Sequence, residues 1–355
     1  MREKVKGFYD KLGLPRLIII CFFLVLLLSA IPLKLSILNL LGNAIRRWGM
    51  YGILVLAMVP AVQCGIGLNF GISLGIVAGL LSSTLVIEMG ITNPWIAIFT
   101  AMLLGAGMAS LIGIAYGILL NRVKGSEMTV STYVGFSIIA LMNIVWLSVP
   151  FRNGELIWPI GGQGMRNTIN LASSFGEVFN NFLSVQIGEE ASGLFIPTGL
   201  LLFFFLMCLL VWLFMRSKTG IAMSAVGANP MFARASGVNV NRMRILGTAV
   251  STALAAVGII TYSQSYGFLQ LYNAPLMMGF HCVAAVLIGG ASVGRAKISN
   301  VIIGTFLFQG ILAVALPVIN TVMPESNLPD VIRIIISNGI ILYALSKTKE
   351  GKGNV

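Results

Sequence analysis

The residues able to do covalent or metal chemistry are few, and their spacing serves none of it. His281 is the single histidine, so a histidine metal cluster cannot form. Ser292 follows it in the chain, and a serine nucleophile would need His281 within hydrogen-bond reach as its base. No nucleophile motif surrounds Ser292, and an intramembrane hydrolase would be excluded by activity that survives His281→Ala. The four cysteines, Cys21, Cys64, Cys208 and Cys282, lie in or beside apolar runs. None pair at metal-ligand spacing, so they read as small apolar packing residues. Residues 289–296 imitate a phosphate-binding loop: Gly289 and Gly294 have the spacing, but Arg295 stands where the lysine belongs and Ala296 where a hydroxyl belongs. The segment is rejected as a nucleotide site. No catalytic residue and no metal site is assigned.

What remains is neutral. Gln63, Asn69, Ser73, Asn143, Tyr262, Gln264, Asn273 and Gln309 are hydrogen-bonding groups inside apolar surroundings. They suit an uncharged polyhydroxylated solute, and each is equally able to make an interhelical hydrogen bond. Carboxylates are scarce: Glu88 falls near the end of a run, and no aspartate falls in the middle of one. Ion-driven carriers place ionisable groups at depth, which argues against a secondary carrier. Gly67, Gly71, Gly75 and Gly79 recur every fourth residue and would share one helix face; Gly113 and Gly117 repeat the spacing. Such faces let helix backbones approach closely. The start of the stripe, residues 65–71, also reads as a broken helix lining a pathway, because glycine-interrupted apolar segments mark transporter sites. That reading makes Asn69, Phe70 and Ser73 the translocation-path candidates.

The elements that must hold these groups are membrane helices. Of the 355 residues, 57% are hydrophobic and 10% charged, against roughly 25% charged in soluble domains. A water-soluble globular protein is excluded, and the long unbroken runs exclude the short alternating segments of a β-barrel. About 20 helical residues cross a hydrocarbon core of roughly 30 Å. Ten segments are expected: 17–33, 49–66, 68–88, 94–121, 128–149, 194–215, 245–265, 275–293, 299–320 and 331–346. The fold class is all-α, a polytopic membrane protein with about ten transmembrane helices in a single unit, 1–355. The first run lacks small residues at a cleavage position and reads as a membrane helix, not a signal peptide. With the N-terminus inside, 17 of the 23 Lys and Arg residues fall on inner stretches and 6 on outer ones. Cytoplasmic loops retain positive charge, so this split predicts both termini inside and accounts for the net charge of +12 without nucleic acid. Arg46 and Arg47 go against the rule and are assigned to an amphipathic segment, 36–48, on the outer surface. The cytoplasmic parts are then 1–16, 217–244 and 347–355, and 151–192 is an extracytoplasmic loop.

The inner stretch 217–244 is long for a connection. Asn229 before Pro230 is a strong helix start, a capping side chain followed by proline at the first helical position, and Gly237 is a natural stop. A short helix over 230–236 is predicted, with Met231 and Phe232 as apolar projections suited to a partner's groove. A helix lying at the lipid interface is the other reading.

Residues 227–242, GANPMFARASGVNVNR, closely resemble the cytoplasmic coupling segment of permease subunits of type II ATP-binding-cassette importers of the ribose/xylose/galactoside and branched-chain amino acid group. Residues 284–292 resemble that group's late membrane motif and 65–73 its early glycine motif; the likeness spans about 40–346. Sugar-type members usually carry an aspartate where this chain has Gly67. The resemblance implies a bacterial inner-membrane permease subunit that carries a small neutral polar solute, foremost a sugar, with a nucleoside or another small polar solute as the alternative. It implies a second permease copy or paralogue, an extracytoplasmic solute-binding protein, and an ATP-binding subunit holding the ATP and magnesium, with no cofactor in this chain. Coupling to the ATPase would fall to Asn229, Pro230, Phe232, Arg234 and Gly237: Asn229 and Gly237 shape the helix, Phe232 fills the partner's groove, and Arg234 pairs with an acid there.

Overall fold

The computed structural model describes residues 14–157, 165, 167–188 and 193–322, with positions 331, 335, 338, 339 and 342 beyond them. In chain order the helices begin with α1 (Leu14–Ser29), α2 (Ile37–Leu56), α3 (Met58–Gln63), α4 (Ser73–Glu88), α5 (Pro94–Arg122) and α6 (Glu127–Ser148). The strand β1 (Thr168–Asn170), the single turn α7 (Val178–Asn181) and the strands β2 (Val185–Ile187) and β3 (Leu194–Ile196) follow. The chain continues through α8 (Thr198–Arg216), α9 (Lys218–Ala228), α10 (Pro230–Ala235), α11 (Val240–Tyr266), β4 (Phe268–Gln270), α12 (Asn273–Ile288) and α13 (Ile298–Val322). The strands form two small antiparallel pairs, β1 with β4 and β2 with β3.

Among the described residues, seven helical stretches are long and apolar enough to cross a membrane, and two shorter apolar helices, Arg16–Ser29 and Asn273–Ile288, accompany them. The fold is a polytopic all-α membrane bundle. The expected count of ten is not reached within these residues, and the segment 331–346 lies outside them apart from isolated positions. One expectation is corrected. The stretch 36–48 is not a separate surface helix: it runs through α2 and α3 into one 27-residue span, Ile37–Gln63. Ser36 caps it by accepting from the Asn39 N–H, and nothing at 48–49 breaks it.

The bundle is built around α11, which packs on α5, α4 and α2, while α13 packs on α2 and α12. Its residues explain this. Gly75 and Gly79 of α4 lie against Thr252, Ala255, Ala256 and Ile259, and Gly113 and Gly117 of α5 lie against Ala249, Thr252, Ile245 and Thr248. A Cβ at any of the four would overlap α11. The glycine stripe thus clamps both neighbours onto one helix. Gly67 and Gly71 are the exceptions: Gly67 has φ +90° and sits in a loop, and Gly71 lies in a 3-10 turn before α4, against Tyr116. Bulky side chains point the other way: Phe99, Leu103 and Leu111 on α5 and Ile144 on α6 are exposed. On α5, small residues face α11 and large apolar ones face outward, an arrangement that lets helix backbones approach closely in lipid.

This packing yields a test. Gly113→Leu should push α5 off α11 at a cost of about 1–3 kcal/mol or more, with loss of the monodisperse peak in detergent chromatography. Gly107→Leu, on the open side of the same helix where nothing lies within 4 Å, should behave as wild type. Equal behaviour of the two would contradict the clamp.

Candidate functional site

The 65–71 segment is a broken helix. The span ending at Gln63 stops, Gly65 and Gly67 take left-handed φ of +79° and +90°, and a 3-10 turn, Phe70–Ile72, leads into α4. Only glycine adopts these angles without strain. The break leaves backbone polar groups without helical partners, and such groups need other cover. Asn69 supplies much of that cover. It is fully buried, accepts from the Tyr116 hydroxyl at 2.9 Å and donates to Ser251 Oγ at 3.2 Å, so it ties the break to α5 and α11. Ser73 donates to the Pro275 carbonyl at 3.0 Å and ties it to α12. The Phe70 ring packs on Phe280. Phe70 and Ser73 line a narrow crevice with Gly135, Phe136 and Gly279, about 10 Å³ in volume. It has room for about one water and none for a sugar.

The 217–244 stretch, expected as loop plus one helix, holds two helices. α9 was missed; its sign is Ser217, whose side chain accepts from the Gly220 N–H as an N-cap does. The next helix, α10, begins as its residues predict. Asn229 Oδ1 accepts from the N–H groups of Met231 and Phe232, both at 3.0 Å, Pro230 takes the first position, and Gly237 ends the turn at φ +81°. Ala233 is buried in a small cluster with Val226 and Val240. Met231 and Phe232 project outward, 84% and 67% exposed. Arg234 is exposed in the last turn.

These two regions touch through bare backbone. A Cβ on Gly65 would lie 3.2 Å from the Gly227 Cα, and one on Gly227 would fall on the Gln63 carbonyl. Gln63 also donates to the Ala296 carbonyl at 2.5 Å, and Val293 covers Gly67. The segment that mimicked a phosphate loop, 289–296, is therefore a packing turn against the break. His281 lies seven residues before the end of α12, roughly 10 Å of helix, with its ring against Tyr51 and Phe308. It does not serve Ser292.

Sequence reasoning missed a second link at this end. Arg244, at the start of α11, pairs with Glu127, at the start of α6, at 2.5 Å, with side chains 8% and 15% exposed. The other Glu127 oxygen accepts from the Gly125 N–H. Asn121 donates to the Asn241 carbonyl beside them. The neutral polar candidates do not converge: Gln264 accepts from the Phe179 N–H at the far end of α11, and Gln309 is buried on α13. Three cysteines are buried, in keeping with a packing role, while Cys21 is exposed on α1.

Residues 40–345 match the family described as "Branched-chain amino acid transport system / permease component". The chain is 22% identical to the nucleoside ABC transporter permease protein NupB of Lactococcus lactis subsp. cremoris over 71% of its own length and 67% of the relative's. It is 23% identical to the fructose import permease protein FrcC of Rhizobium meliloti (82% and 79%), and 22% identical to the ribose import permease protein RbsC of Escherichia coli (80% of each). No solved structure matches. With a polytopic all-α fold and a family match over residues 40–345, this chain belongs to the branched-chain amino acid transport system permease family, the type II permeases of ATP-binding-cassette importers.

Proposed function

We propose that this chain forms the path for a small neutral polar solute, foremost a simple sugar, across a bacterial inner membrane, with α10 on the cytoplasmic side. A separate ATP-binding subunit docks on α10, a solute-binding protein delivers cargo at the opposite face, and a second permease copy or a paralogue completes the path. The observation that carries this is the Gly65–Gly227 contact. A force on α10 reaches the break through α9 with no side chain between to absorb it, and the break holds Asn69, Phe70 and Ser73. Phe232 and Met231 leave apolar surface in water that a groove on the ATPase would cover. Asn229 and Gly237 fix the shape of the turn, Pro230 starts it, and Arg234 is placed to meet an acid. The free energy comes from nucleotide in the partner; this chain supplies the lever and the gate.

A nucleoside is the second reading, favoured by Gly67 and by the likeness to a nucleoside permease; which solute stabilises the partner binding protein separates the two. The docking claim is tested by Phe232→Asp. Burying a charge where a ring belonged should reduce ATPase co-purification and solute uptake by more than tenfold, with the permease still monodisperse. Normal values for both would remove the claim.

A further inference from the structure

At the end of the Ile37–Gln63 span opposite the Gly65–Gly227 contact lies a polar cleft of about 340 Å³. That volume is at the lower end of small-ligand sites, roughly 300–1,000 Å³. Its walls come from the first turns of α2, from α7 and from the β2–β3 hairpin. The hairpin register pairs Gln186 with Phe195 on one face, while Val185, Ile187, Leu194 and Ile196 take the other. Gln186 and Phe195 both line the cleft. From α2 come Asn43, whose amide donates to Asn39 Oδ1 at 2.7 Å, and Arg46.

The floor is rigid. Asn180 donates to the Ser265 carbonyl and accepts from the Ser265 hydroxyl, and Arg46 reaches both that carbonyl and Glu177 Oε1, at 2.5 and 2.8 Å. Glu177 takes a left-handed φ of +57°, a conformation costing about 1 kcal/mol outside glycine. Held there, its carboxylate neutralises the arginine inside the cleft, which accounts for an arginine that charge counting placed on the wrong side of the membrane.

We propose that this cleft is an accessory binding site for an uncharged polyhydroxylated ligand. Asn43, Asn181 and Gln186 each carry a donor and an acceptor, as each sugar hydroxyl does. The side-chain amides of Asn181 and Gln186 make no hydrogen bond among the described residues, so both are open to a ligand. Arg46 has further N–H groups to offer a pair of adjacent hydroxyls. The cancelled Arg46–Glu177 charge disfavours ionic ligands, and the Phe195 ring gives one apolar wall for a sugar's C–H face. The site lies at the opposite end of α2–α3 from the break and does not depend on the coupling reading.

The test uses the full chain in lipid nanodiscs with no ATPase or binding protein, so it measures binding and no transport. Saturation-transfer NMR with D-ribose, with D-glucose and with glucose 6-phosphate reports the ligand. We expect saturable binding of the sugars, at least tenfold weaker binding of the charged ester, and at least a tenfold loss in the double variant Asn181→Leu/Gln186→Leu. These two side chains are exposed, so the fold should survive, as chromatography would verify; Gln186→Lys, which adds a charge to the cleft, should lose sugar binding by the same factor. No saturable sugar binding, binding undiminished in the variants, or equal binding of the ester would each overturn the proposal.

Discussion

Glu127→Gln is expected to lower the stability of the chain by about 3 kcal/mol, the lower end of what breaking a buried ion pair costs when one partner is removed. The reason is that Arg244 stays behind with its charge. Its side chain is 8% exposed, and among the described residues its Nε has no acceptor and its one ionic partner is Glu127 Oε1. Glutamine keeps the shape and can still accept, but it brings no charge. Arg244→Met should cost less, because a carboxylate at 15% exposure still has the Gly125 N–H and reaches water. The double variant Glu127→Leu/Arg244→Met should recover much of the loss, as a buried pair replaced by apolar groups of similar size often does. Thermal unfolding in detergent, with the single variants Glu127→Leu and Arg244→Met closing a double-mutant cycle around that double variant, checks this. Additive losses would mean the pair does not act as a unit. The pair joins the α5–α6 turn to the start of α11, so the variants should also loosen the frame on which α10 rests.

The legible and illegible parts of this fold divide by the range of the interaction. Asn229, Pro230 and Gly237 specify their turn within nine residues, through a cap, a fixed φ and a left-handed stop, and α10 forms as read. Pro94–Arg122 and Glu127–Ser148 match their apolar runs to within a residue or two at each end, because lipid demands unbroken helix. The fusion of 36–48 with the next span was not legible: Asn39, Asn43 and Arg46 look like a water-facing surface, and only the fold shows that they line a cleft. Gly67 fitted the every-fourth-residue stripe but belongs to the loop, since spacing alone cannot tell a helical glycine from one chosen for φ +90°. The Glu127–Arg244 pair was invisible because its partners lie 117 residues apart and each looks like an ordinary loop charge. Asn69 was found as a polar residue out of place, yet its partners Tyr116 and Ser251 came only from the helix packing. A polar residue within an apolar run announces that it needs a partner; it does not name it.

The Gly65–Gly227 contact carries the other large effect. Gly227→Val should abolish solute uptake, by more than tenfold, while the partner ATPase still co-purifies. Valine at 227 puts Cβ onto the Gln63 carbonyl, and forcing extra carbons into a packed contact costs about 1–3 kcal/mol. The strain is relieved by moving α9 away from the break, which leaves Met231 and Phe232 exposed on α10 but disconnects them from Asn69, Phe70 and Ser73. Docking and gating thus come apart, which Phe232→Asp cannot achieve. A variant that simply displaced α10 would lose both. Gly65→Ala guards against that outcome: it strains a left-handed position at φ +79° and crowds the Gly227 Cα at 3.2 Å, yet it leaves the α10 surface unchanged. Both variants should therefore retain the ATPase and lose uptake, with hydrolysis no longer stimulated by loaded binding protein. The glycines are distant in sequence and meet only at this contact, so a shared uncoupled phenotype has one physical origin. Uptake at wild-type rates in both would show that force from α10 reaches the membrane by another route, with the Glu127–Arg244 corner the next to test.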